Sequence, residues 1–518
     1  MTVDETRRGA LTPFRQVRER VVSARVGPWT VTVLLLCALL AGGAWALASP
    51  LGASPDDDFH QASIWCPSPL NTSGCQLVVD SDGAIKGAYV PQPVALSVCY
   101  ALNKDISGSC LRDLSDEQLV PKEHINQGAY PGGYYRFMHL FVTSNVTLSV
   151  IMMRMVNVLL AVGLLASGIW LLPAAARQGQ SAAILSGLVP LGMFLIASVN
   201  PSSWAVSGVV AVWLGVHALL QARERWRIRA AATLTIVGGI VGASARADSG
   251  AFLVVVVGLT AVLHWRTVGS WWRRIPILVV PPLLGVWSYV ASSQRSAISE
   301  SWAPLQARDR MVVLFKDLQE LPSLVMGVFG QTWGLGWLDT PMPAVVGSSA
   351  LFVAGGLVMV GLSRMNGLKG LVTAALMMTI MAVALLGLLA SNYYVGEGIQ
   401  PRYLLPLIVV LLAMMMTGRE LHSPLHLAQA QTTMIGLALA AANGLALFTN
   451  MRRYITGLDV VSPYLNRHVE WWWSFGLPPT QVFLIGSAAF AVLAFTPWLL
   501  TRPRPQAPEP APIRQKPA

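Results

Sequence analysis

The stretch "WTVTVLLLCALLAGGAWALASPLGASPDDDFH", residues 29–60, decides the fold: an uncharged apolar run leads directly into three consecutive carboxylates and a histidine. A helix of about 20 apolar residues crosses a hydrocarbon core of ~30 Å, so 29–48 is expected to be a transmembrane span. The segment before it carries Arg7, Arg8, Arg15, Arg18, Arg20 and Arg25 and could be taken for a secretory leader. Its apolar run is longer than the roughly 7–15 residues of a leader's core. An uncleaved signal-anchor is therefore expected, with residues 1–28 a basic cytoplasmic N-terminus.

The rest of the chain repeats this pattern. Of its 518 residues 54% are hydrophobic and only 12% charged, where a soluble domain carries about 25% charged residues. Apolar runs at 29–48, 147–172, 182–199, 204–221, 230–246, 250–264, 275–292, 344–363, 369–391, 403–418, 431–449 and 481–500 predict an all-α polytopic membrane protein of about twelve helices. The spans at 230–246 and 250–264 are short and divided by "ARADSG", which suggests a broken or re-entrant element there. The net charge of +11 sits in short connections, such as "RERWRIR" (223–229), "RTVGSWWRR" (266–274), Arg364, Lys369 and Arg419. That is the positive-inside distribution, which accounts for the charge as membrane orientation and argues against nucleic acid as a partner. The tail 501–518 is Pro-rich and is expected to be disordered.

Three segments fall on the opposite side. The first, 49–146, holds ten acidic residues against five basic ones. The others, 293–343 and 450–480, contain "ARDRMVVLFKDLQELPSLVMGVF" and "EWWWSF", amphipathic patches suited to the membrane interface or to walling a site for a lipid-linked substrate. Four of the five cysteines, Cys66, Cys75, Cys99 and Cys110, lie in the first outer segment. An even number in one exported loop suggests disulfides, with Cys66–Cys75 and Cys99–Cys110 favoured by proximity. Zinc is the competing reading, although the intervals lack the tight Cys-x-x-Cys pairs of such sites.

Candidate chemistry gathers on the outer side. Asp56, Asp57 and Asp58 follow Pro55 at the exit of the first span, with His60 beside them. Clustered carboxylates raise one another's pKa and can divide the work of base and cation ligand, but a solvated acidic run at a helix start is the plain alternative. Arg154 begins the second span, Arg246 with Asp248 joins the fifth and sixth, and Arg402 begins the tenth. Ionisable groups at membrane depth face cavities or one another, and guanidinium matches phosphate geometry. An Arg246–Asp248 ion pair would explain that pair structurally. "YPGGYYRFMHLFV" (130–142) supplies Tyr134, Tyr135, Arg136 and His139, of which the aromatics read mainly as interfacial anchors. In "NPSSWAV" (200–206), Asn200 and Ser202 suit a helix cap. No phosphate-cradling Gly-rich loop, dinucleotide fingerprint or HExxH occurs.

A first span followed at once by a large outer loop opening with acids is similar to the GT-C superfamily of membrane glycosyltransferases. More closely, the chain resembles domain-of-unknown-function family 2142, a group of bacterial predicted membrane proteins. The resemblance rests on Pro55, Asp56, Asp57 and His60, on Pro131, Tyr134 and Tyr135, on Arg154, on Asn200 to Ser202, and on Gln400, Arg402, Tyr403 and Pro406. Asp57 stands where the family has Glu, and Pro401 where it has Gly. The resemblance implies a multi-pass protein of the bacterial plasma membrane. Its site would face outside and transfer a sugar, with inversion, from a polyprenyl-phosphate donor to an envelope glycan or lipid acceptor. Asp56 or Asp57 would be the base. Arg402, with Arg246 or Arg154, would stabilise the lipid phosphate, while His60, Asp248, Tyr403 and Tyr134 would complete the site. A divalent cation (Mg, Mn or Ca) at Asp57 and Asp58 is weighed without commitment, and no other cofactor is implied.

The rival expectations are a transporter or flippase of lipid-linked glycans, a glycan polymerase or ligase, and a structural partner in envelope assembly. Transporters place ionisable residues at the midplane and often carry internal repeats; here the charges gather on one face. Abundant Ala, Val, Gly and Arg suggest a GC-rich genome such as that of an actinobacterium, where arabinan, galactan or teichoic-type polymers are candidate products.

Overall fold

A computed structural model describes residues 27–265, 271–293, 308–418 and 425–500. The basic N-terminus before residue 27, Arg419 and the Pro-rich tail lie outside the described residues. The protein is an all-α polytopic membrane protein. Nine helices among the described residues are long and apolar enough to cross a bilayer: Pro28–Leu47, Val146–Leu171, Ser202–Gln221, Arg225–Ala245, Ala247–His264, Trp272–Ala291, Ala344–Leu362, Gly367–Ser391 and Gln429–Ile455. Two shorter apolar helices, Pro401–Met415 and Pro479–Ala494, occupy two further expected spans.

The remaining expected span, 182–199, is corrected. It forms two helices, Ala174–Leu188 and Leu191–Ile196, separated at Val189 and Pro190. Proline has no N–H for the ladder and its ring collides with the preceding turn. Neither 230–246 nor 250–264 is itself broken or re-entrant: uninterrupted helices run to Ala245 and from Ala247, separated by Arg246 in extended backbone.

Ser202–Gln221 is the central helix, buried all round. Its closest neighbour is Arg225–Ala245, and a Cβ on Gly208 would lie 2.4 Å from the Gly242 nitrogen. Only glycine permits that approach, the usual device where helices in lipid associate by packing alone. Lys369, expected as a loop charge, is instead buried, and its ammonium donates to the carbonyls of Met415 and Thr417 at 2.8 Å.

The segment between the first and second spans, 49–146, adds a small sheet to this helical frame. Strands β1 (Leu77–Val79), β2 (Ile85–Pro91) and β3 (Leu119–Lys122) are antiparallel in the order β1-β2-β3, with Ala88 opposite Lys122 and Val90 opposite Val120. Ala88 and Val90 face inward and are fully buried. Cys66–Cys75 and Cys99–Cys110 are disulfides. The helix Arg310–Val328 packs on Gly367–Ser391 and Pro401–Met415, while Met311, Phe315 and Leu318 remain exposed. In the tryptophan run, Trp471 is buried beneath Gly108 and Trp473 donates to the Leu47 carbonyl at 2.9 Å.

Candidate functional site

The chain leaving the first span is held carbonyl by carbonyl. Arg154 donates to Ala46 (3.0 Å), Ser49 (2.6 Å) and Pro50 (2.6 Å). Asn450 takes Ala48 at 3.2 Å, Tyr100 takes Leu51, Trp337 takes Gly52 at 2.7 Å and Tyr454 takes Ala53 at 3.3 Å. Pro55 receives both Asn200 (2.9 Å) and Arg402 (2.8 Å). Chain outside regular secondary structure in a dry setting must place its carbonyls somewhere, and here donors from six separate parts of the sequence meet that demand.

The segment ends at Asp56, which sits in the left-handed region with φ 61°. A non-glycine residue there costs about 1–3 kcal/mol and persists only where surroundings over-determine it. The next residue starts the helix Asp57–Trp65, so Asp57 and Asp58 lie in a first turn whose dipole favours acids. The three carboxylates consequently diverge.

Asp56 meets Arg402, whose Nη2 donates to Oδ2 at 2.5 Å. The guanidinium is buried, with a side chain 2% exposed, whereas the Asp56 side chain is 39% exposed. Burial alone would raise the Asp56 pKa, but Arg402 foremost and Arg246 as well hold the carboxyl below its ordinary value. Arg402 Nη2 also donates to the Tyr403 hydroxyl at 3.1 Å. The Tyr403 ring meets two guanidinium groups, with Arg246 at 4.4 Å and Arg402 at 5.1 Å from its centre. Arg246 pairs with Asp248 through Nε at 2.9 Å and Nη2 at 3.1 Å, as the adjacency in sequence suggested. Tyr130 flanks its other side at 5.5 Å, and its Nη1 is buried without a hydrogen-bond partner.

Asp57 is fully buried, and neither oxygen meets hydrogen-bond geometry. Burial pushes its pKa up to about 7, against the pull of Arg154 and of neighbouring Ser54 and Gln61. Asp58 faces the sheet, accepting from Lys122 on β3 at 2.6 Å. The two acids weighed as cation ligands thus face different neighbours, and among the described residues no three His, Cys, Asp or Glu side chains assemble as metal ligands. His60 is buried, and burial pushes its pKa down to about 3. Its Nδ1 lies 2.9 Å from the Tyr135 hydroxyl. Tyr134 is buried edge-on to Trp204, its hydroxyl unpaired.

Of the residues expected at the site, the structure brings together Asp56, Arg246, Asp248, Arg402 and Tyr403, with His60 one layer beneath. Arg154 braces the chain leaving the first span through the carbonyls of Ala46, Ser49 and Pro50, and Tyr134 lies deeper against Trp204. Asn200 does accept from the Ser202 amide at 2.9 Å, as expected of a cap, but its amide also fastens Pro55. Reasoning from the sequence missed Tyr130 as an arginine platform and missed Arg453 altogether. Arg453 is fully buried, pairs with Asp339 at 2.9 Å and donates to the Tyr100 carbonyl at 2.9 Å. The one available signal was "MRRY", two arginines ending a span on the outer side against the positive-inside trend. A cavity of about 530 Å³ lies next to Asp339, lined also by Asn103, Lys104, Asp105, Gln331 and Trp333.

Fold and site together define a polytopic membrane protein with an ionised cluster where the disulfide-bonded cap meets the helices. Residues 39–411 match the family described as "Predicted membrane protein (DUF2142)", and the chain belongs to that family. Comparison with curated proteins gives no match.

Proposed function

We propose that the protein is an inverting glycosyltransferase of the GT-C kind. It would move a sugar from a polyprenyl-phosphate donor to a cell-envelope glycan or lipid acceptor at the outer face of the plasma membrane. The observation that carries this reading is the half-open Asp56 carboxylate paired with buried Arg402, beside the unsatisfied Nη1 of Arg246. A base must be ionised and reachable; Asp56 is held in its charged form and half-open, whereas Asp57 is sealed from solvent with its pKa pushed up to about 7.

On this reading the donor phosphate binds Arg402 and Arg246, both of which present donors in a setting where charge interactions are strong. Sharing Arg402 with the phosphate weakens its hold on Asp56 and raises the basicity of that carboxylate. The acceptor oxygen then attacks the anomeric carbon from the face opposite the phosphate. The bond from anomeric carbon to phosphate oxygen breaks, its electron pair leaves with the lipid phosphate, and the acceptor proton passes to Asp56. The acceptor enters from the cavity beside Trp333 and Asp339, whose 330–342 loop also supplies the Trp337 strap on Gly52.

The test is transfer of labelled sugar from polyprenyl-phosphate donors by the full chain in nanodiscs. Asp56→Asn should lose transfer by about 10²-fold or more while keeping its thermal unfolding, and Asp57→Asn should retain it. Full transfer by a folded Asp56→Asn protein overturns the base assignment, and no turnover of any such donor by wild type overturns the reading as a whole.

A further inference from the structure

A second cavity, of about 950 Å³, is a groove far from Asp56. Its walls come from Pro28–Leu47, Val146–Leu171, Ala174–Leu188, Arg225–Ala245 and Pro479–Ala494. The lining is almost wholly apolar, contains no carboxylate and has one charged member, Arg177. Along the Arg225–Ala245 helix the groove runs from Trp226 to Val237, about 16 Å at the helical rise. That is roughly half of a ~30 Å hydrocarbon core, or one leaflet.

The two ends differ. At one, the lining residues Trp170 and Trp226 are half-exposed, as tryptophans at headgroup depth are. Arg177 stacks over Trp170 at 4.6 Å and Arg227 over Trp226 at 5.1 Å. Arg177 is pinned by donating Nε to Leu172 (3.0 Å) and Nη2 to Trp170 (2.7 Å), and no acid among the described residues pairs with it. Arg227 is near enough for the two like charges to repel. Arg225 and Arg229 belong to the same basic connection, which makes this the cytoplasmic end by charge. The opposite end reaches Gly42 and Val158, one helical turn from Arg154.

We propose that this groove is a binding site for an anionic phospholipid of the inner leaflet. Its phosphate lies between Arg177 and Arg227, and its acyl chains fill the space up to Gly42. The geometry selects a lipid over a soluble anion, because a leaflet-long apolar slot adjoins Arg177; it selects an anionic head, because Arg227, stacked over the lining Trp226, is close enough to Arg177 for the two to repel, and the carboxylate beside them is the exposed Glu224, 3.3 Å from Arg227. The helices walling the groove are the first span and the one carrying Arg154, so an occupant braces the two elements that hold Asp56 in place. This inference is independent of the proposed transfer reaction.

The test uses the delipidated full chain in detergent, titrated with phosphatidylglycerol or phosphatidylcholine and read by native mass spectrometry and thermal unfolding. Wild type should retain phosphatidylglycerol at least tenfold better and gain several degrees in Tm from it. Arg177→Gln should abolish the preference, but it also removes a helix-end contact. Gly163→Phe therefore serves as the second variant: Gly163 lines the groove and a Cβ there meets nothing within 4 Å, so the ring fills the slot with Arg177 intact. Loss of lipid retention by a folded Gly163→Phe protein supports the site. Equal retention of the two lipids, full retention by Gly163→Phe, or stabilisation by inorganic phosphate equal to that by phosphatidylglycerol overturns it.

Discussion

Arg402 donates to the Asp56 carboxylate at 2.5 Å across a sequence separation of 346, joining the exit of the first span to the start of the Pro401–Met415 helix. The same guanidinium holds the Pro55 carbonyl, so one side chain fixes both the position and the charge state of the acid. Removing it leaves a carboxylate in the left-handed conformation with its countercharge gone.

Arg402→Lys tests that double role. Lysine is a point charge without the planar fork and cannot reach Pro55 and Asp56 together. Breaking a fully buried pair from one side costs about 3–5 kcal/mol; the loss here is smaller because solvent screens the 39% exposed Asp56 side chain, and a retained cation should soften it further for lysine relative to Arg402→Ala. Thermal unfolding is expected to rank wild type above Lys above Ala, and both variants should lose sugar transfer.

Asp57 and His60 make opposite demands on pH. The folded pKa of His60 is pushed from 6.5 down to about 3, so its contribution to stability is present above 6.5 and is lost as pH falls toward 3. That of Asp57 is pushed from 3.8 up to about 7, so its contribution is present below 3.8 and is lost as pH rises through 7. Between pH 4 and 6.5 the two slopes oppose each other. Asp57→Asn should therefore show a Tm that falls on acidification across this window, and His60→Gln one that falls on raising pH from 4 to 7. Parallel pH profiles for the two variants would refute the assignment.

The Arg453–Asp339 pair, both side chains buried, offers a double-mutant test. Arg453→Met strands the Asp339 carboxylate and should lower stability by about 3–5 kcal/mol. Adding Asp339→Asn removes the stranded charge and should restore part of the loss, measured as Tm in one detergent.

Cys99 and Cys110 bracket the Tyr100 and Ile106 carbonyls that receive Arg453. Closing so short a loop contributes about 3 kcal/mol through the unfolded chain. Cys99→Ser with Cys110→Ser should destabilise by that order, and reductant should then act on the Cys66–Cys75 bridge alone, visible as a gel shift on alkylation.

The transmembrane plan was legible because it depends on local composition. Eleven of the twelve expected spans correspond to apolar helices, and the exception turned on Pro190, whose backbone effect a hydropathy reading overlooks. The disulfides were readable because four cysteines share one outer segment. The acidic run and the arginines were visible as residue types in unusual places. Tyr130 was not, because an aromatic near the interface reads as an anchor, and Arg453 gave only the "MRRY" signal, since its partner Asp339 lies 114 residues away in the chain.

Sequence alone therefore determined that this chain spans a membrane many times, carries a disulfide-bonded segment after its first span and clusters its ionisable groups on that segment's side. These follow from hydropathy, charge bias and spacing, each a property of short windows. Only the tertiary structure decided that Asp56 opens outward toward Arg402 while Asp57, one residue on, is sealed in the interior. A left-handed turn at Asp56 sends the two carboxylates in different directions, and donors from six distant parts of the chain hold the segment that leads into that turn.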